Sequence, residues 1–366
     1  MIIGVTKEVK DGETRVALTP DGVATLIRSG HTVLVEKNAG IASGFTDRMY
    51  RDSGATILPK APDVWKKSQL LVKVKEPLAA EYKYFHPDLV LFTYLHLAGV
   101  PPLTRSLCQK GVTALGYETV ELPDGQLPLL TPMSEVAGRV AAQVGTRLLH
   151  RGSNGQGKGI LLGGVTGTKR GVVTVIGGGV VGVKAADVAV GMGAEVVIFD
   201  ISKERREKLQ QYYGPRATIL APSTDLLTQW VKKSDLLIGA VLVAGDKAPK
   251  VITKRMVQQM EPGSVIVDVA IDQGGCVETA RPTTHKQPTY LKYGIIHYCV
   301  TNMPALTPMT STEGLTIATF PYIHQIAEIG LEAALARNPA LAKGLQINKG
   351  KVVHPVVAKL FRSLAA

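Results

Sequence analysis

The stretch from Val172 to Asp200, VVTVIGGGVVGVKAADVAVGMGAEVVIFD, admits very few folds. A β-branched run, Val172 to Ile176, leads at once into Gly177-x-Gly179-x-x-Gly182. Small residues continue through Ala185, Ala186 and Ala189, and Val196 to Phe199 then begins a second apolar strand. The order is strand, tight turn, helix, strand. Each glycine meets a steric demand: the first a sharp turn, the second a close approach to the backbone, the third packing of helix on sheet. Together they leave N–H groups at a helix N-terminus facing a pyrophosphate, with Val180 and Val181 inside the turn. A lone GxGxxG is weak, but this one follows a strand, opens a helix and is answered by Asp200 at the end of the next strand. Asp200 can accept hydrogen bonds from both adenosine ribose hydroxyls and would repel a 2′-phosphate, so NAD is expected over NADP. The bland alternative is a glycine-rich turn in another doubly wound sheet beside an incidental aspartate.

With 366 residues the chain is long enough for two domains with sizeable cores, and low aromatic content with abundant Val, Ile, Leu, Ala and Gly fits a parallel α/β protein. No apolar run reaches bilayer length and the start, MIIGVTKEVK, lacks the apolar core of a signal peptide, so a cytoplasmic protein without a membrane partner is expected. Cys108, Cys276 and Cys299 are odd in number and far apart, which suggests neither disulfides nor a zinc site. The net charge of +12 raises the question of nucleic acid, yet the densest basic cluster, Lys203 to Lys208, is interrupted by glutamates and reads as a solvated helix face. No nucleic-acid partner is expected. The excess charge can still draw in anionic ligands.

Before the glycine motif lies a separate α/β unit. Ile2 to Val5 is a strand, Thr19-Pro20-Asp21 starts a helix to about Arg28 closed by Gly30, and Thr32 to Glu36 is the next strand. Arg15 sits on the connection between the first strand and that helix, where its planar fork could clamp a carboxylate; taken alone, a surface salt bridge is the better reading. Strand Leu70 to Val74 ends in Lys75, and strand Leu89 to Leu95 ends at His96. Both lie at strand carboxyl ends, the edge where open α/β sheets bind ligands. A satisfied core histidine and a solvated lysine are the alternatives. Leu103 to Lys110 reads as helix and Val112 to Tyr117 as strand, Thr131-Pro132 starts a long helix to about His150, and Arg151 to Gly159 is a flexible turn. After Asp200 the alternation continues with helix Lys203 to Tyr213, strand Thr218 to Ala221, helix Asp225 to Lys232, strand Leu236 to Val241, helix Thr253 to Met260 and strand Val265 to Val269. Asp272 follows beside Gly274 and Gly275, as catalytic group or simple turn former, and Asn302 follows strand Ile295 to Val300. Thr310 to Arg337 contains a long helical pattern.

The fold class expected is α/β, with two Rossmann-like doubly wound domains and a cleft between them. Residues 1–128 begin a substrate-side domain, 129–305 form the NAD-binding domain, and 306–366 return to the first. In order and spacing, GVTKEVKDGETRVALTP, LLVKVKEPL, LFTYLHLA, YETVELPDGQLPLLTPMSEVAGR, VIGGGVVG, LLIGAVL, VIVDVAIDQGGC and HYCVTNMP make the whole chain resemble the bacterial alanine dehydrogenase family. A cousin architecture is the NAD-binding subunit of proton-translocating transhydrogenase; its alternative is a soluble module that passes hydride to a partner.

The resemblance implies oxidation of L-alanine by NAD to pyruvate and ammonia, and the reverse. It implies that Arg15 binds the substrate carboxylate, that Lys75 binds substrate and polarises the pyruvate carbonyl, that His96 is the general acid/base, and that Asp272 is the second catalytic residue. It places Ser134, Gly177, Gly179, Val180, Val181, Gly182, Asp200, Arg205, Val241, Val269, Arg281, Val300 and Asn302 around NAD. It implies a homo-oligomer, commonly a hexamer; the residue spacing suggests no metal site. Departures are Met309 where relatives usually carry a basic residue, Ile317 where they carry asparagine, and Thr166 for a common proline.

Overall fold

The structure is a computed structural model that describes residues 1–152, 156–241 and 248–364. Residues 153–155 of the expected flexible turn lie outside the described residues. The strands, in chain order, are β1 (Ile2–Val5), β2 (Thr32–Glu36), β3 (Thr56–Leu58), β4 (Leu70–Val72), β5 (Val90–Thr93) and β6 (Thr113–Gly116). Then come β7 (Val172–Ile176), β8 (Glu195–Phe199), β9 (Thr218–Leu220), β10 (Leu236–Gly239), β11 (Val265–Asp268), β12 (Thr289–Lys292) and β13 (Ile295–Tyr298), and last β14 (Leu345–Asn348) and β15 (Lys351–Val352). They belong to two compact units, 1–133 with 307–366, and 134–306.

The first unit holds an eight-stranded sheet in the order β15-β14-β6-β5-β4-β1-β2-β3. Its pairs from β3 to β6 are parallel, while β14 and β15 add antiparallel strands at the β6 edge. Chain order reverses at β1, which has β2 on one side and β4 on the other, so the loops leaving β1 and β4 open beside the topological switch point. Helix Pro20–Arg28 starts as its sequence dictates: Thr19 Oγ1 accepts from Gly22 N at 3.3 Å, proline occupies the first turn and Val23 and Leu26 are buried. Trp65, Leu71, Leu91, Leu103 and Leu107 form part of the core.

The second unit holds a seven-stranded sheet in the order β12-β13-β11-β10-β7-β8-β9, parallel except for the β12 hairpin. Alternate residues go to opposite faces, as the two-residue strand period requires. Val173, Val175, Ile198, Ile238 and Val267 pack into one cluster, and Val197, Phe199, Leu237 and Ile266 into another. Both faces are covered, the doubly wound arrangement. Its switch point lies between β7 and β10, where the glycine turn leaves β7.

Several element boundaries differ from the sequence expectation, and the causes are local. β4 stops at Val72 and β5 at Thr93 because side chains take over from the ladder. Val74 N donates to Glu8 Oε1 at 2.7 Å, and Leu95 N donates to both oxygens of Glu118 at 3.2 and 3.1 Å. The long helical pattern expected within Thr310 to Arg337 is present as helix Pro308–Ile329, followed after Gly330, with φ +78°, by helix Leu331–Arg337. Pro321 stays inside the first of them.

Candidate active site

In the first unit, the connection leaving β1 carries Glu8, Glu13 and Arg15. Arg15 is only 2% exposed. It is ion-paired, but in the interior rather than on the surface. Nε and Nη2 donate to the two oxygens of Glu13 at 2.7 and 2.6 Å, and Nη1 lies 2.8 Å from Met133 Sδ. Glu13 Oε1 also accepts from the backbone N–H groups of Thr14 and Arg15, at 3.1 and 3.0 Å. Burial opposes the guanidinium charge, yet hydrogen bonding and attraction from Glu13 outweigh it and hold Arg15 above its ordinary pKa. One edge of the fork is therefore fixed by the protein.

Lys75 follows two residues that anchor the end of β4. Lys73 is fully buried, its ammonium 3.2 Å from Glu8 and 3.2 Å from Glu81, while Val74 is held by Glu8 through its N–H. Lys75 itself is half-buried, with its ammonium 5.9 Å from the centre of the Tyr94 ring. Lys10 and Glu76 pair beside it.

His96 is exposed, which removes the reading of a satisfied core histidine. Its backbone is left-handed, φ +50° and ψ +36°, uncommon for a residue with a Cβ. Glu118 holds that geometry by accepting from His96 N at 2.8 Å, and Gln346 Nε2 in turn donates to Glu118 at 3.1 Å. The imidazole stacks on Tyr94 with ring centres 6.1 Å apart and planes 10° from parallel. The Tyr94 hydroxyl donates to Leu129 O at 2.5 Å, and burial raises its pKa, so the ring is a neutral platform. Arg15, Lys75 and His96 thus gather at one edge of one sheet, with Tyr94 touching the last two.

In the second unit, Gly177 has φ +103°, and a Cβ there would sit 2.6 Å from Ala240 O; a Cβ on Gly182 would lie 1.8 Å from Gly177 O. Neither position tolerates a side chain. Gly179 is the residue before helix Val180–Gly191 and offers no side chain to cap it, while the space around its missing Cβ is open. Val180 is exposed and Val181 half-buried in that first turn. Asp200 accepts from Gly178 N and Ser202 N, each at 2.8 Å and each on a different oxygen. Each oxygen keeps lone pairs for a further donor. The uncapped helix start and the pinned carboxylate fit a dinucleotide, phosphates at one and ribose at the other. Arg205 is exposed, with Nη1 3.4 Å from Gly178 O; Arg206 braces the same turn through Asp200 O and Ile201 O, both at 2.9 Å.

The remaining positions lie in the same unit. Val241 follows β10, next to the undescribed 242–247, and Ser134 is half-buried on helix Thr131–Leu149. Val269 opens the 3-10 turn Val269–Gln273, on which Asp272 is exposed. The Arg281 guanidinium lies 4.3 Å from the centre of the Tyr290 ring, Val300 is buried, and Asn302 is left-handed at φ +61°. Among the described residues no group of three His, Cys, Asp or Glu side chains could hold a metal.

Sequence reasoning missed Glu13, Tyr94, Glu118 and Met133. Two had a signal: Glu13 stands two residues before Arg15, and Tyr94 two before His96, the spacing that puts side chains on one side of an extended chain. Glu118 and Met133 act across the fold and had none.

Residues 4–137 match the family model described as alanine dehydrogenase/PNT, N-terminal domain, and residues 141–355 the corresponding C-terminal domain. An alanine dehydrogenase of Bacillus subtilis is 54% identical over 361 residues, covering 98% of this chain and 94% of the relative. One from Methanococcus maripaludis is 50% identical over 360 residues, covering 98% and 96%. A solved L-alanine dehydrogenase superposes with a TM-score of 0.96 at 51% identity over 100% of both chains. A transhydrogenase from Sinorhizobium meliloti shares the fold, TM-score 0.82, at 22% identity over 97% of this chain and 99% of that one.

Proposed function

The chain belongs to the alanine dehydrogenase/PNT family, and on that premise we propose NAD as its cofactor and assign residues to the reaction it carries out. The protein is an oxidoreductase that interconverts alanine with pyruvate and ammonia by means of a nicotinamide cofactor. Asp200 supports NAD over its 2′-phosphorylated form, since a carboxylate engaged by two backbone N–H groups is fixed in the path of that phosphate.

Bound NAD supplies the hydride acceptor at the alanine Cα. Arg15, immobilised by Glu13, and Lys75 bind the substrate carboxylate as two cations. Lys75 polarises the carbonyl in the reductive direction. As the iminium of pyruvate takes up water, the His96 imidazole accepts a proton from that water. It returns the proton to nitrogen and then accepts the hydroxyl proton of the carbinolamine as the C–N bond breaks, the C=O bond forms and ammonia leaves. Asp272 orients the amine or the attacking water. Ser134, Val241, Val269, Arg281, Val300 and Asn302 complete the cofactor's surroundings, and Arg205 adds a cation beside the ribose. The observation that carries this reading is the gathering of Lys75 and His96 on Tyr94 beside a buried, carboxylate-locked Arg15. We place the reaction in the cytoplasm, where free amino acids and nicotinamide cofactors meet, and the assembly as a homo-oligomer, most simply a hexamer. Among the described residues no helix is long and apolar enough to cross a membrane. The direct test is NADH formation from NAD and L-alanine by the isolated chain, with NADP in parallel. A module that hands hydride to a partner protein would bind NADH and do nothing with alanine.

A further inference from the structure

We propose that Asp268 is a positioning residue that sets where Asp272 stands, by pinning both ends of the loop that carries it. This rests on the reading of Asp272 as a catalytic residue. Asp268 ends β11 and is completely buried. Its Oδ1 accepts from Ala270 N at 3.1 Å, capping the 3-10 turn at its entry, and its Oδ2 accepts from Val277 N at 3.0 Å at the exit. The Cys276 thiol is a third donor, 3.7 Å from Oδ1. Between these anchors lie Val269 and Asp272.

The fold clears space for this carboxylate. A Cβ on Gly275, where φ is +78°, would lie 2.7 Å from Oδ2, and one on Gly239 would lie 3.0 Å from Oδ1. No salt bridge to Asp268 exists among the described residues; backbone and thiol donors, together with the longer-range attraction of Lys250, compensate the buried group. Burial raises its pKa, with the hydrogen bonds and the attraction of Lys250 pulling the other way. The Asp272 side chain makes no hydrogen bond among the described residues. Its place is therefore inherited from the backbone, and the backbone is held by Asp268. Outer ties brace the same turn: Ala248 N donates to Gln273 O at 3.0 Å and Lys250 Nζ to Gly274 O at 2.5 Å.

The chemistry calls for a carboxylate specifically. An amide has one acceptor oxygen and an NH2 group, so Asp268→Asn must turn a donor toward one of two N–H groups. Shape is kept while one end of the loop is released.

The test is a double-mutant cycle on the full chain with Asp268→Asn, Asp272→Asn and both, reading kcat for L-alanine and NADH affinity. The expected result is a loss of about 10- to 100-fold in kcat for Asp268→Asn, with NADH affinity within about threefold of the wild type. In the Asp272→Asn background the same change costs nothing further. Gly275→Ala, which leaves Asp268 in place but crowds its Oδ2, is the second variant and is expected to show the same loss and the same non-additivity. Wild-type kcat in both variants, or losses that multiply with that of Asp272→Asn, overturn the inference. Full activity of Asp272→Asn alone overturns the catalytic reading instead, a distinguishable outcome.

Discussion

Glu13 grips Arg15 along one edge of the guanidinium, Nε at 2.7 Å and Nη2 at 2.6 Å, in an interior where Arg15 is 2% exposed. The pair fixes the orientation of the arginine that we propose binds the substrate. Its bidentate edge is held by the protein, so the proposed binding of the substrate carboxylate by Arg15 and Lys75 depends on a guanidinium whose orientation Glu13 fixes. Glu13→Gln removes the counter-charge and one acceptor at constant shape. A hydrogen bond to a charged group contributes about 1.5–3 kcal/mol, so KM for alanine is expected to rise roughly 10- to 100-fold, with kcat changed much less. Steady-state kinetics over a wide alanine range check this, and an unchanged KM would separate Arg15 from substrate binding.

At the cofactor end, Asp200 and Gly182 make separate contributions. Asp200→Ala removes the proposed ribose acceptor and frees Gly178 N and Ser202 N, so on the NAD proposal NADH affinity should fall by about 10- to 100-fold while NADP gains relative to NAD. Gly182→Ala forces a Cβ to 1.8 Å from Gly177 O and should abolish binding of both. Fluorescence titration with NADH and NADPH distinguishes the two variants.

The Lys73 cluster is a structural anchor rather than a chemical one. Its ammonium is shared by Glu8 and Glu81, each at 3.2 Å, with none of the three exposed. Lys73→Met leaves two buried carboxylates without their cation, and breaking such a pair costs about 3–5 kcal/mol. Thermal denaturation should show a large drop for the first unit. Lys75 loses its anchored neighbour, so activity should fall with it.

Acid should weaken the second unit through His297. This side chain is buried, with Nε2 2.8 Å from Thr279 Oγ1 and Nδ1 3.0 Å from Ile295 O, and burial lowers its pKa below the ordinary 6.5. The unfolded chain then binds a proton that the folded one refuses, so stability is intact above pH 6.5 and declines as pH falls toward the folded value. His297→Asn, which cannot titrate, should flatten that slope between neutral and mildly acidic pH in calorimetry, even if its absolute stability is lower.

Much of this was legible in the residues, and the limits have physical causes. The glycine turn, Asp200 and helices Pro20–Arg28 and Lys203–Tyr213 could be read because their determinants are local: a cap, a proline, a glycine at positive φ, a run of β-branched residues. Lys75 and His96 stood out as polar groups after apolar strands. The grip of Glu118 on His96 joins residues 22 apart, and Arg15 meets Met133 across 118, distances at which sequence pattern carries no contact information. Short elements were missed for a related reason. Helices Asp47–Asp52 and Ala61–Lys67 and strands β3, β14 and β15 are too brief for a hydrophobic period to build up, and tertiary packing stabilises them.

The most direct test of the central claim is initial-rate NADH formation from NAD by the purified chain, with L-alanine and D-alanine as substrates, for the wild type and for His96→Ala. The account predicts turnover with L-alanine only, and a fall of about 10²- to 10⁴-fold in His96→Ala with NADH binding retained. Tight NADH binding without turnover of L-alanine, or a His96→Ala variant as fast as the wild type, would contradict it.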